Sequence, residues 1–172
     1  MTTVEELAAE VAALRRRVED SEGVIELHSL KARYGELVDE RFGPGGVVDD
    51  ETLTRIADEV AALFTVDGVW DGGPGLGRIT GRAAIAERLR MPTLSFSLHL
   101  FVKPRIRVQG DEGWARWDLL SPCRRLDGTS YWMCGYEDDH YVRQDGVWLH
   151  RSMTLTTVFM SPITEGWTKI LA

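Results

Sequence analysis

The chain has 172 residues, of which 44% are apolar and 27% are charged, a composition typical of one globular domain that buries its own core. Its net charge of −7 is spread along the sequence, which disfavours nucleic acids and anionic membrane surfaces as partners. No apolar run is long enough to span a bilayer and no secretion-signal pattern opens the chain, so we expect a cytoplasmic protein.

The first part of the sequence predicts two helices. Residues 3–21 carry apolar side chains in heptad spacing, which favours packing on the domain itself or on a second chain. These side chains are Val4, Leu7, Val11, Leu14 and Val18. Gly23 predicts a break, and residues 24–42 repeat apolar residues at intervals of three and four as a second helix. We therefore divide the chain into a helical extension, 1–22, and a domain, 23–172.

The next segments mix short helices with one strand. Asp50 is predicted to cap a helix from Glu51 to Phe64, and residues 65–70 are predicted to form a strand. Residues 71–77 form a glycine-rich loop, and a short helix is expected from about Gly81 to Arg90.

The C-terminal half predicts a meander of long strands. Aromatic and β-branched residues fill roughly 93–109, 113–125, 130–143 and 147–160, and short turns separate them. Helices followed by an antiparallel meander indicate an α+β fold. Strands of this length curl, and helices laid over the concave face would close a cone around a small-molecule pocket.

His99 is the first candidate for chemistry. Strand alternation places it on the face that carries Ser97 and Phe101, and leaves the opposite face fully apolar. A histidine among small polar groups can act as a base, whereas a hydrogen-bonded structural histidine is the alternative.

Asp118 lies in the middle of the following strand, so it must be paired or exposed. A hairpin turn at 109–112 sets Asp118 near Lys103, and a bulge or a longer turn would change that register and allow it to reach His99. Asp118 either orients the imidazole of His99 or forms an ion pair with Arg116, Lys103 or Arg151.

Two residues of the second predicted helix also stand out. Tyr34 lies on the apolar stripe, where its hydroxyl needs a partner and could serve a substrate oxygen or a backbone carbonyl. Asp39 lies about 140° away on an ideal helix and could equally be a solvated charge. No single element carries a metal-ligand cluster, and the nucleophile-elbow and dinucleotide motifs are absent, so we expect no metal and no cofactor.

Several sequence runs resemble the SnoaL-like domain of the nuclear transport factor 2-like superfamily. They are 30–39 (LKARYGELVD), 63–70 (LFTVDGVW), 81–85 (GRAAI), 96–100 (FSLHL), 135–138 (GYED) and 146–148 (GVW). The resemblance implies a cone-shaped, curved antiparallel sheet with helices over its concave face. It is closest to the branch of bile-acid 7α-dehydratase and scytalone dehydratase, in which a Tyr and an Asp on the first domain helix and a His–Asp pair on the strands line the pocket.

Carried over residue by residue, the resemblance assigns catalytic roles to five side chains. These are Tyr34, Asp39, His99, Asp118 and Arg151. Side chains that would line a hydrophobic substrate site are Phe64, Trp70, Phe101, Trp117, Trp132, Tyr136 and Met153. The implied activity is a cofactor-independent dehydratase acting on an apolar carbonyl compound such as a steroid or polyketide, in a homo-oligomer, dimer or trimer.

Other activities of this scaffold remain open. An isomerase, a polyketide cyclase and an epoxide hydrolase are the enzymatic alternatives, and a non-catalytic ligand-binding or interaction domain is the other.

Overall fold

The computed structural model describes residues 2–164. Its helices are α1 (Val4–Glu40), α2 (Asp50–Ala62), α3 (Gly73–Leu76) and α4 (Arg82–Leu89). Its short strands are β1 (Phe42–Gly43), β2 (Gly46–Val47), β3 (Phe64–Asp71), β4 (Arg78–Thr80) and β5 (Leu94–Ser97). The meander comprises β6 (Leu100–Gln109), β7 (Glu112–Arg125), β8 (Ser130–Gln144) and β9 (Val147–Pro162).

Seven strands form one curved sheet, in the order β4-β3-β9-β8-β7, with β5 and β6 both pairing with β7. The predicted α+β fold with a curved sheet under helices is confirmed. One pair differs from the expected antiparallel pattern, because β3 runs parallel to β9 and makes the sheet mixed. The tiny β1–β2 hairpin stands apart from this sheet.

The core lies between α1, α2, α4 and the concave face of the sheet. Odd-numbered residues of β7 and β8 face inward, as the alternating burial of both strands shows. One cluster joins the helices to β3 and β9 and includes Leu37, Val60 and Ile85. A second cluster, around Leu27 and Trp117, lies under the middle of α1. Both clusters contact Phe101.

The predicted break at Gly23 is wrong, since α1 runs without interruption for 37 residues. A β-carbon at Gly23 would lie 3.0 Å from Val108 and 3.4 Å from Trp148. The glycine therefore lets the helix approach the sheet closely and does not end the helix. We call residues 4–19 of α1 the projecting half, because all of them are exposed. Residues 20–40, which meet the sheet, form the docked half.

Several boundaries differ from the sequence-based expectation. The N-cap of α2 is Asp49, not Asp50, and its carboxylate accepts a hydrogen bond from the Thr52 amide at 2.9 Å. The strand predicted over 93–109 is interrupted at residues 98–99, between β5 and β6. The predicted loop at 71–77 contains the single turn α3, and β4 follows it.

The apolar face of β5 and β6 lies on the outside of the sheet. Its four side chains, each 39–44% exposed, are Phe96, Leu98, Leu100 and Val102. Among the described residues, no helix combines the length and the apolar character needed to cross a membrane.

Candidate active site

His99 and Asp39 form a two-point contact at the end of the docked half. The Nδ1 atom of His99 lies 2.6 Å from Oδ1 of Asp39, and the backbone amide of His99 donates to Oδ2 at 2.8 Å. A carboxylate only accepts hydrogen bonds, so in the neutral imidazole Nδ1 carries the proton and Nε2 keeps its lone pair. Both side chains are less than one-fifth exposed. Asp39 thus fixes the tautomer and the orientation of the imidazole.

This contact also explains the break between β5 and β6. The pairs Ser97–Cys123 and Leu100–Leu120 share one register, which places His99 opposite the buried Ser121. The backbone amide of His99 donates its hydrogen bond to Asp39 and not to β7, so the hydrogen-bond ladder between β7 and its neighbours is interrupted at this residue. The fold therefore gives up a sheet hydrogen bond where it positions the imidazole.

The Phe101 ring contacts both Tyr34 and the imidazole of the His99–Asp39 pair, which we call the dyad. It stacks on His99 with 5.9 Å between centroids and lies 6.3 Å from the Tyr34 ring. Tyr34 is buried, and its hydroxyl accepts a hydrogen bond from Nε1 of Trp70 at 3.2 Å. Burial and the nearby Glu137 raise the pKa of Tyr34 well above its ordinary value. Tyr34 therefore remains a neutral phenol with its proton available for donation.

Arg41 brings a positive charge to the same region. It is partly buried, and its Nε donates to the Val38 carbonyl at 2.9 Å. Burial lowers the pKa of Arg41, while Tyr34 and Asp39 oppose that change. Within residues 2–164 its guanidinium forms no ion pair, so it is free to attract a negative or electron-rich group. Sequence reasoning did not select Arg41.

A buried charged network contacts Phe101, whose ring centroid lies 4.3 Å from Nζ of Lys31. Lys31, only 1% exposed, donates to Glu137 and, at 2.8 Å, to Asp139. The Tyr141 hydroxyl donates to Asp139 at 2.6 Å. Burial lowers the pKa of Lys31, but Asp139 and Glu137 outweigh it and the net direction is upward. The pKa of Glu137 is raised by burial despite Lys31.

Sequence reasoning missed this network, although the sequence carries a signal for it. Lys31 is four residues after Leu27 and three before Tyr34, which places it on the buried stripe of α1. Glu137 and Asp139 alternate on β8 together with Tyr141, so they share its inward face.

His150 is a second buried histidine that sequence reasoning did not select. Its ring packs between those of Phe64 and Tyr141, with centroids 4.9 and 4.7 Å away. Neither ring nitrogen has a hydrogen-bond partner among the described residues. Burial, which Asp139 opposes, lowers the pKa of His150 to about 3. It is therefore a neutral imidazole at physiological pH.

The proposed meeting of His99 and Asp118 does not occur. Asp118 is an even-numbered residue of β7, faces the convex side and forms an ion pair with Lys103. A bulge is present, since the register shifts between Val102 and Arg105, but it does not bring Asp118 inward. Lys103 lowers the pKa of Asp118. The carboxylate beside the imidazole is Asp39, which the resemblance placed in the pocket without pairing it to His99.

Arg151 also faces away from the dyad. Its guanidinium, 45% exposed, donates to both carboxylate oxygens of Asp67 at 2.6 Å. On β8, His140 pairs with Ser152 and Tyr141 pairs with His150, so Arg151 is the extra residue of a bulge in β9. The neighbouring His150 and Met153 face inward, and Arg151 does not. Its predicted place in the pocket is therefore wrong, and Arg41 is the cation near the dyad.

The residues predicted to line a hydrophobic pocket fall into three groups. Trp70 and Phe101 are half-buried beside Tyr34 and His99. Phe64, Trp117 and Met153 are at most 3% exposed and belong to the packed core. Trp132 and Tyr136 are even-numbered residues of β8 on the convex face, where Tyr136 lies under Arg116. Only the first group is placed to contact a ligand at the dyad.

A groove of about 550 Å³ opens beside the β1–β2 hairpin. It is lined by Phe42, Gly43, Pro44, Phe96, Pro122, Cys123, Arg124, Ser130 and Ile163. Burial raises the pKa of Cys123, and the Asp39 carboxylate contributes to that rise. Cys123 thus lies both in the wall of the groove and within electrostatic reach of the dyad.

No group of three or more His, Cys, Asp or Glu side chains within residues 2–164 is arranged to hold a metal ion. The chemical groups of this region are an oriented imidazole, a neutral phenol and a guanidinium that has no ion-pair partner among the described residues.

Solved structures of several proteins share this fold. A type 2 hexachlorocyclohexane dehydrochlorinase (LinA) matches with a TM-score of 0.67 and 18% identity over 83% of this chain and 89% of its own. A type 3 LinA from Novosphingobium barchaimii matches with a TM-score of 0.67 and 17% identity over 88% and 96%. A proposed scytalone dehydratase from Novosphingobium aromaticivorans matches with a TM-score of 0.66 and 21% identity over 81% and 86%. At these identities the likeness concerns the fold.

Among proteins with curated descriptions, none matches this sequence. The model of the SnoaL-like domain family matches residues 16–154, which covers the docked half of α1 and the sheet as far as the middle of β9. The chain is therefore a member of the SnoaL-like domain family, within the nuclear transport factor 2-like superfamily.

Proposed function

We propose that this protein is a lyase that removes a proton from carbon and expels a group from the adjacent carbon, with His99 as the base. The observation that carries this proposal is the two-point contact between His99 and Asp39. In the neutral imidazole, this contact holds the proton on Nδ1 and keeps the lone pair of Nε2 available to act as a base. The fold is shared with a dehydrochlorinase and a proposed scytalone dehydratase, and both of those names describe eliminations.

In the proposed reaction, Nε2 of His99 takes a proton from a carbon next to a carbonyl group. The electrons of the broken C–H bond move towards the carbonyl and then form a C=C bond as the leaving group departs with its own electron pair. Asp39 stabilises the imidazolium that forms. The proton on Nε2 can then be returned to a leaving hydroxide, so that water and an unsaturated carbonyl compound are the products.

Tyr34 and Arg41 are proposed to stabilise the charge that develops on the carbonyl oxygen. Tyr34 keeps its proton, because burial raises its pKa, and can donate it in a hydrogen bond. Arg41 lies within electrostatic reach of Asp39 and Tyr34, and it has no ion-pair partner within residues 2–164. Donors aimed at such an oxygen typically contribute about 3 kcal/mol each to lowering the barrier.

The surroundings favour a compact apolar substrate with one carbonyl group. The groove beside the β1–β2 hairpin, whose wall includes Cys123, falls within the usual volume of small-molecule sites, roughly 300–1,000 Å³, and most of its wall is apolar. Phe101 offers a flat surface next to His99, and Trp70 offers one beside Tyr34. Hydrophobic β-hydroxy ketones, including steroid and polyketide fragments, fit this description.

The test is an ultraviolet assay for a new conjugated enone, run over a panel of apolar β-hydroxy and β-chloro ketones. With the best substrate, we expect His99→Ala and Asp39→Asn to lower kcat/KM by roughly 10²–10⁴-fold. We expect Arg41→Gln to lower kcat more than it raises KM, because its charge acts mainly on the transition state.

Matched controls come from the residues on the convex face. Asp118→Asn and Arg151→Gln remove charges of the same kind and should leave turnover within about twofold of the wild type. Turnover that survives in His99→Ala, or that is lost equally in Asp118→Asn, would contradict the assignment. If panel compounds quenched the tryptophan fluorescence of the protein but none was converted, the protein would be a ligand-binding domain and not an enzyme.

A further inference from the structure

The projecting half of α1 presents an apolar stripe to solvent. The stripe comprises Val4, Leu7, Val11, Leu14 and Val18, which are 47–83% exposed, and it continues to Ile25 at 66%. Isolated apolar side chains are common on protein surfaces, but a continuous stripe along five turns of helix is not. A helix of this kind gains little from its own chain, so its stripe is suited to a partner.

The residue types along the stripe select one kind of partner. With Val4 at heptad position a, the a positions are Val4, Val11, Val18 and Ile25, and all of them are β-branched. The d positions Leu7 and Leu14 are leucines. β-branched residues at a with leucine at d favour two parallel strands over three or four. At the next d position, Ser21, the hydroxyl is satisfied by the Arg17 carbonyl at 2.8 Å, which marks the end of the seam.

The charges beside the stripe fit a second copy of the same helix. In a parallel, in-register pair, a g residue faces the e residue five positions later on the partner. Here Glu10 would face Arg15 and Arg17 would face Glu22, so each contact joins opposite charges. By symmetry each occurs twice. Within the described chain none of these four side chains forms an ion pair, so all are available.

The body of the protein does not obstruct this seam. Val18 and the buried Leu27 are nine residues apart, which is about 180° around an ideal helix. The docked half therefore contacts the sheet on the side opposite the stripe. A capping box, in which Thr3 and Glu6 exchange side-chain and backbone hydrogen bonds, closes the free end of the helix.

From these observations we infer that the projecting half pairs with the same segment of a second copy as a parallel two-stranded coiled coil, and that the protein is a dimer. The inference does not depend on the proposed lyase activity.

The first experiment measures molar mass in solution by light scattering and sedimentation over a range of protein concentrations. The wild type is expected to be a dimer, and Leu7→Lys with Leu14→Lys is expected to be a monomer with unchanged secondary structure. The matched control, Ala9→Lys with Ala13→Lys, adds the same charges to the outer face of the same exposed turns and should remain a dimer. A wild-type monomer, or a trimer, would overturn the inference.

Charge reversal tests the arrangement of the two helices. Glu10→Arg would face Arg15 of the second copy and should raise the dissociation constant about tenfold at low salt. Adding Arg15→Glu should restore wild-type affinity. Failure of the second change to rescue the first would contradict a parallel register.

Cross-linking gives an independent answer on direction. In a Cys134→Ser background, Leu7→Cys places the new thiol opposite its own copy only in a parallel pair, so mild oxidation should yield a covalent dimer. Absence of the cross-link would contradict the parallel pair. A dimer that persists in the double lysine variant would locate association on the convex sheet face around Phe96 and Leu98, and would also overturn the inference.

Discussion

The two halves of α1 invert the usual distribution of residues. The projecting half exposes valines and leucines, while the docked half buries the lysine Lys31 almost completely. Both halves belong to one unbroken helix, so local conformation does not separate them. The two halves differ in the groups that contact them. Glu137 and Asp139 form ion pairs with Lys31, whereas no described residue covers the apolar stripe of the projecting half. Burial here follows the availability of complementary groups, not hydrophobicity alone.

The largest expected effect comes from removing the charge of the docked half. Lys31→Met leaves two carboxylates buried without their cation, and we expect it to lower the free energy of unfolding by about 3–5 kcal/mol. Urea denaturation followed by circular dichroism measures this loss. In the matched control, Arg33→Met removes an exposed cation of the same helix that pairs with Glu59 at 2.8 Å. That change should cost about 1 kcal/mol or less.

If Lys31→Met and Arg33→Met were equally mild, the buried network would not stabilise the docked half. The contrast between the halves would then reduce to packing of Leu27 and its apolar neighbours.

A second effect depends on pH and involves the imidazole beside the docked half. His150 lies 5.7 Å from the Tyr34 ring, and its pKa of about 3 is below the ordinary value near 6.5. Between these values the unfolded chain binds a proton that the folded chain does not, so stability is lost as the pH falls from 6.5 towards 3. The loss amounts to up to about 5 kcal/mol.

His150→Leu should remove that part of the acid sensitivity while changing stability at pH 7 by less than about 1.5 kcal/mol. Denaturation series at several pH values measure the slope. As a control, Leu27→Ala should lower stability by roughly 2–5 kcal/mol at every pH, because it creates a cavity without removing a titrating group. Parallel pH curves for wild type and His150→Leu would show that this imidazole does not titrate as proposed. The raised pKa of Glu137 acts in the opposite direction, but it is present in both proteins and largely cancels in the comparison.

The fold could be predicted because its signals are local. Helical spacing, glycine turns and strand alternation identify most elements within a few residues of their bounds. The pairing register expected from the turn at 109–112 correctly placed Asp118 near Lys103. Gly23 was misinterpreted because a glycine that permits close packing looks the same in sequence as one that ends a helix.

The candidate site could be predicted only in part. His99, Asp39 and Tyr34 were selected, but the pairing of His99 with Asp39 joins residues 60 positions apart and depends on an interrupted strand. Lys31 meets its carboxylates across 106 and 108 positions. Such pairings follow from how α1 crosses the sheet, and residue spacing along one element does not reveal that crossing.

The smallest expected effect compares one helix cap in each environment. Thr3 caps the projecting half and Asp49 caps α2, which packs in the core, and each accepts a hydrogen bond from a backbone amide three residues later. Loss of either cap costs its helix about 1 kcal/mol. In Asp49→Ala this cost should appear in global unfolding, because α2 unfolds with the core. In Thr3→Ala it should appear only as faster amide exchange in the first turns, since the projecting half can fray while the sheet stays folded. Equal losses of global stability in the two variants would mean that the projecting half folds as part of the core, and the contrast between the halves would not hold.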